Sequence, residues 1–218
     1  MTLLLELKNV SKHYRKNEVL NDVNFKVQRN EIVGLSGING AGKTTLLKVI
    51  IGMVQPNAGS IVITDDMFRD ESGRAPKIGF SFKEFGAVQQ RTGYKNMQII
   101  ASLFKDVSED RLIELMDLVG LDFKDTKKVR DYSLGMKQRL SIAMSLVGDP
   151  KLIVWDEPDE SLDTEGRQLL HSILRKMSDE KTTIIFSSHD QTFLKENATR
   201  IIRLNSGSIC DLEEESIR

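Results

Sequence analysis

Apolar and polar residues change period along this chain, and the changes mark out its elements. Short β-like runs come early, at Leu3 to Val10, Asn24 to Val27, Ile32 to Leu35, Ser60 to Thr64 and Lys77 to Ser81. Thr45 to Met53 carries a helical apolar pattern. From roughly Phe82 to Val147 the chain reads as mostly helical, because Leu112, Leu115, Met116 and Val119 recur at helical spacing, with Ser108 placed to cap and Gly120 to terminate. Continuous apolar runs return at Lys151 to Trp155 and Thr182 to Ser187, as buried parallel strands require, with a helix from about Thr164 to Met177 between them. Arg200 to Leu204 and Ser208 to Cys210, around Asn205-Ser206-Gly207, predict a terminal hairpin. A β/α core therefore resumes after a helical insert.

Composition narrows the classes. A chain of 218 residues makes one core, or one core with a lobe inserted into it. Basic and acidic side chains nearly cancel at a net charge of -1, so no global field favours nucleic acid or acidic lipid. Lys124, Lys127, Lys128 and Arg130 read as a solvated linker face. The lone Cys210, a strand residue, excludes an internal disulfide, and no Cys/His cluster has zinc spacing; both point to a reducing compartment. Met1 to Val10 does not read as a signal peptide, and no apolar run approaches the ~20 residues that span a bilayer. A soluble chain is expected.

Gly37 to Thr44 reads Gly-Ile-Asn-Gly-Ala-Gly-Lys-Thr, a P-loop between a strand and a helix. Gly37, Gly40 and Gly42 permit tight turns that aim amides, with those of Asn39, Ala41 and Thr45, at phosphate oxygens beside a helix N-terminus. Lys43 is expected to pair with the β- and γ-phosphates, and Thr44 to offer its hydroxyl to Mg2+. The second half of the site lies at Leu152 to Glu157, where four apolar residues deliver two carboxylates to a strand's C-terminal end. Asp156 is placed to hold Mg2+ and Glu157 to act as general base on water. Asp156, Glu157, Asp159, Glu160 and Asp163 put five acids in eight positions, so mutual repulsion is expected to raise some of their pKa values. Asp159 and Glu160 read as solvated loop acids.

Tyr132-Ser133-Leu134-Gly135-Met136-Lys137-Gln138-Arg139 leads into an amphipathic helix through about Val147 and resembles the signature motif of ATP-binding cassette (ABC) ATPases. The resemblance covers nearly the whole chain. It implies an α/β fold: a P-loop NTPase core with a mostly parallel sheet, an N-terminal antiparallel β subdomain and a helical subdomain inserted at about 82–147, all within one domain, 1–218. It also implies that Ser133 and the Gly135 backbone of one subunit meet the γ-phosphate of ATP held by another, since the motif sits at a helix N-terminus. Tyr14 stands where the family stacks a ring on adenine. Ser161-Leu162-Asp163 looks like the loop joining two ATP sites, and His189 is similar to the family's switch histidine. His13 and His171 receive no role.

Two departures qualify the resemblance. Leu134 and Met136 replace a glycine and a glutamine of the signature, as in a branch that includes bacitracin- and lantibiotic-type exporters. Lys83 aligns with a glutamine whose carbonyl reaches Mg2+, and an ammonium cannot ligate a cation. Lys83 is therefore expected either to point toward a transmembrane partner or to contact phosphate, with Glu84 or water completing the metal shell and hydrolysis slow or strongly partner-dependent. The resemblance implies a head-to-tail dimer using ATP and Mg2+, on the cytoplasmic face of the membrane. A separate transmembrane subunit is expected to dock near Lys83 and Arg91-Thr92-Gly93-Tyr94, transport to run toward export, and nucleic acid to play no part. The alternatives are a nucleic-acid or ribosomal ABC ATPase, or a weakly hydrolysing regulator.

Overall fold

The computed structural model describes residues 2–64, 78–83 and 86–213. Lys77 and Glu84, both named above, lie outside them. Two sheets form among the described residues. The first is three-stranded and antiparallel in the order β2-β1-β4, from β1 (Leu3–Tyr14), β2 (Asn17–Gln28) and β4 (Ala58–Ile63). The second has six strands in the order β5-β6-β7-β3-β8-β9: β5 (Ile78–Ser81), β6 (Leu152–Trp155), β7 (Thr183–Ser187), β3 (Ile32–Ser36), β8 (Arg200–Asn205) and β9 (Ser208–Glu213). Its pairings are parallel except for the β8/β9 hairpin.

Alternation along the buried strands explains the layering. Successive side chains of a strand point to opposite faces. Ile153 and Trp155 of β6 join Ile184 and Phe186 of β7 in one core, while Leu152, Val154 and Ile185 join a second core with Val33 and Leu35. Helices cover the first face: α3 (Glu109–Leu118), α4 (Leu134–Ser145), α5 (Thr164–Asp179) and α6 (Gln191–Asn197). The second face is closed by α1 (Lys43–Ile50) and the antiparallel sheet. Both faces are dry, which is why β3, β6 and β7 read as unbroken apolar runs.

Between β5 and β6 lie α2 (Gly93–Ala101), α3 and α4. Ser108 caps α3 by accepting from the Arg111 amide, and Gly120 follows its end at φ 64°. The expected helix through Val147 starts at Leu134 and ends at Ser145. Its C-terminal half, Leu140 and Ile142 to Ser145, is buried all round rather than amphipathic, because both α2 and β5 press on it. β1 and β2 are far longer than the runs expected. Register shifts along β1 at Leu7/Val10 and Val10/Lys12 break the alternation that would have announced them. Among the described residues, no helix is long and apolar enough to cross a membrane.

Trp155 joins sheet and insert. Its indole N–H donates to Ser145 Oγ at 2.9 Å, and that hydroxyl donates to the Ile142 carbonyl at 2.7 Å, all within the core. Ser145→Ala leaves the indole donor unpaired, so urea denaturation should show a loss of about 1–3 kcal/mol.

Candidate functional site

Parallel register brings the C-terminal ends of β3, β5, β6 and β7 to one edge, at Ser36, Ser81, Trp155 and Ser187. From that edge hang the P-loop, Lys83, Asp156-Glu157 and Ser188-His189. A cleft of about 310 Å³ opens there, lined by Val19, the loop from Ile38 to Thr45, Lys83, Asp156 and Glu157. The loop turns into α1 at Gly42, with φ at 105°, where a Cβ would stand 2.6 Å from the Val19 carbonyl. Around Gly40 nothing lies within 4 Å of such an atom, so the cleft side of the loop is open. The Gly207 amide donates to the Ala41 carbonyl at 3.0 Å, so the β8/β9 turn props the loop from behind.

Lys43 lies inside the loop at 5% exposure, donating to the Gly37 carbonyl at 2.6 Å and standing 3.7 Å from Glu157 Oε1. Thr44 Oγ1 donates to Asp156 Oδ2 at 2.7 Å, bringing together the two residues expected at a metal. Ser187, which the sequence reading passed over, completes the arrangement. Its hydroxyl donates to Asp156 Oδ1 at 2.6 Å and accepts from the Glu157 amide at 2.9 Å. A small hydroxyl closing an apolar strand was the available signal. Glu157 itself sits at φ 49°, a left-handed conformation that costs a non-glycine residue of order 1–3 kcal/mol. His189, half exposed, places Nδ1 4.0 Å from Glu157 Oε1.

The acidic loop differs from expectation. Asp159 is fully buried and accepts from Ser188 Oγ at 2.9 Å, with Arg167 3.8 Å away. Burial, not repulsion between acids, raises its pKa, against the opposing pull of Ser188 and Arg167. Glu160 is no free loop acid either, because it pairs with Lys83. Lys83 turns inward, its ammonium 2.9 Å from Glu157 Oε2. Burial pushes Glu157 up, but Lys83, Glu160 and Lys43 outweigh it and leave the carboxyl below its ordinary range. Hydrogen bonds to Glu157 and Glu160 hold the Lys83 pKa well above that of a free lysine.

Ser133, Gly135, Tyr14 and Asp163 stand outside the cleft lining. Ser133 is exposed and caps α4, accepting from the Met136 amide at 3.1 Å; a Cβ on Gly135 would lie 3.1 Å from the Ser161 carbonyl. Neither lines the P-loop cleft. Tyr14 does not line it either, its ring 48% exposed at the end of β1 with the Lys12 ammonium 5.1 Å from the centroid. Asp163 caps α5 by accepting from the Gly166 amide at 2.8 Å. Lys83 also borders a second cleft, of about 280 Å³, with Phe82, Ala87, Leu134, Gln138 and Ser141.

Sheet, loop and acids together define a P-loop nucleotide-binding protein. A family model described as "ABC transporter" matches residues 20–160. Over 186 residues the chain is 38% identical to the lantibiotic transport ATP-binding protein SrtF of Streptococcus pyogenes, spanning 85% of this chain and 80% of that protein. It is 35% identical over 213 residues to the bacitracin transport ATP-binding protein BcrA of Enterococcus faecalis, spanning 97% and 69%. Among solved structures, the dimeric post-hydrolysis state of the ATP-binding cassette MJ0796 bound to ADP and Pi has a TM-score of 0.85 at 25% identity, covering 97% of this chain and 98% of that one. The chain belongs to the ABC transporter family, as an ATP-binding and ATP-hydrolysing subunit.

Because Ser187 holds both Asp156 and the Glu157 backbone, Ser187→Ala should lower the steady-state ATPase kcat by about tenfold or more, each lost 1.4 kcal/mol of positioning being a factor of ten. Circular dichroism should show the fold retained.

Proposed function

We propose that this chain powers export through a separate transmembrane subunit and works as a head-to-tail pair at the cytoplasmic face of the membrane, without nucleic acid. Each ATP is held between one copy's P-loop and the other's Ser133 and Gly135. One observation carries this reading. Lys43, Thr44, Asp156 and Glu157 share a cleft, while Ser133 and Gly135 of the same chain lie outside its lining. A site divided in this way is completed when a second copy brings the N-terminus of its α4 to the phosphates. The dimeric form of the MJ0796 cassette supports the pairing, and the relatives named for lantibiotic and bacitracin transport, with Leu134 and Met136, support the direction.

Within the pair, amides of Gly37, Asn39, Gly40, Ala41, Gly42, Lys43, Thr44 and Thr45 cradle the phosphates, and Tyr14 stacks on adenine. Lys43 exchanges its loop carbonyls for phosphate oxygens. The Thr44 hydroxyl and the Asp156 carboxylate, already in contact, are hard oxygen donors that fit Mg2+. Mg2+, when bound, neutralises charge on the transferring phosphate. Glu157 orients a water and accepts its proton, and His189 donates toward the γ-phosphate. Chain 1–218 acts as one domain, whose helical insert at about 82–147 meets the transmembrane subunit.

Sedimentation of the purified chain with ATP tests this. Glu157→Gln should cut turnover by about 10²-fold or more and accumulate the dimer. Lys43→Ala should lose ATP binding and dimerisation together, and Ser133→Arg should bind ATP yet remain monomeric. Normal ATP-driven dimerisation of Lys43→Ala would overturn the shared site.

A further inference from the structure

The carboxylate expected to activate water is not free to do so. Glu157 Oε2 is engaged by the Lys83 ammonium at 2.9 Å, while Oε1 faces Lys43 Nζ at 3.7 Å and His189 Nδ1 at 4.0 Å. Its side chain is only 12% exposed, so little solvent screens these contacts. Both carboxylate oxygens are thus turned toward side-chain nitrogens, and an oxygen lone pair taken up by an ammonium is not available to orient a water. Lys83 also holds Glu160, three residues further along, so one ammonium staples the two ends of the Glu157–Glu160 turn.

We propose that Lys83 is a positioning residue that latches Glu157 to Glu160 and holds ATP turnover down until its ammonium is displaced. The inference rests on Glu157 being the base. Lys83 follows β5 by two residues, and the Ser81 carbonyl at the end of β5 accepts from the Asp156 amide at 2.9 Å, so the backbone keeps the lysine beside the acidic turn. The side chain is the part that can move. It is 52% exposed on a flexible four-carbon stem, so water can take over the ammonium as it leaves the carboxylates. Because the same residue borders both clefts, an occupant of the second reaches the latch without entering the first.

The test compares kcat and KM for Mg-ATP turnover of the full chain. Lys83→Met keeps the length, removes the charge and supplies no metal ligand. It should raise kcat about tenfold with KM within about twofold, as a released base predicts. Glu160→Gln, which removes one anchor, should give a smaller rise, whereas Lys83→Arg, which still spans both carboxylates, should bring turnover back down. Without nucleotide, nitrogen-15 spectra of the lysine ammonium groups should show, besides the buried Lys43, an exchange-protected signal that is lost in Lys83→Met and weakened in Glu160→Gln. An unchanged or lower kcat in Lys83→Met, or no protected signal that Lys83→Met removes, overturns the latch. If Glu157→Gln fails to suppress turnover, the assignment of the base falls instead.

Discussion

The structure depends on the requirement that a strand buried on both faces must find every backbone partner within its own sheet. β3, β6 and β7 carry apolar side chains on both faces, and neighbouring strands pair them throughout. Polar chemistry can then begin only where the strands end. Parallel register puts those ends side by side, so Lys43, Lys83, Asp156 and Glu157 converge although more than a hundred residues separate the first from the last. The site is a boundary effect of the core.

At that boundary, charge is arranged to be nearly self-satisfied. Lys43 donates to its own loop, Thr44 to Asp156, Ser187 to Asp156, and Lys83 to Glu157. Each interaction occupies a residue to which the proposed ATP chemistry gives a part. Binding nucleotide is therefore an exchange of partners rather than the filling of an empty charged hole, and the groups arrive already oriented. Pre-orientation of this kind reduces what must reorganise when charge develops on the phosphate.

Much of this was legible beforehand, and the reasons are physical. The P-loop and the Asp156-Glu157 pair could be read because runs such as Leu152 to Trp155 have no polar interruption. The α3 caps could be read because Ser108 and Gly120 act locally. What escaped depends on contacts across the fold. Asp159 looks like a solvent residue until Ser188 and Arg167 are brought against it. Lys83 could not be oriented from its position in the chain, since its partners lie on a loop more than seventy residues away. The length of β2 was hidden because its first half carries extra residues of its own against β1, Val10 and Lys12 facing Val23 and Leu20 and His13 facing Glu18, which breaks the period of two.

The prop behind the phosphate loop bears on how the protein is made. β3, which carries the loop, is flanked by β7 and β8, and Gly207 holds both Ala41 and Asn21 by backbone hydrogen bonds. On the ribosome, Gly37 to Thr44 emerge long before any of those supports has been synthesised. Folding proceeds as the chain appears, but the props on this loop are complete only once the residues through Gly207 are out. A nascent chain shorter than this lacks the support behind its phosphate cradle, which arrives together with the β8/β9 turn.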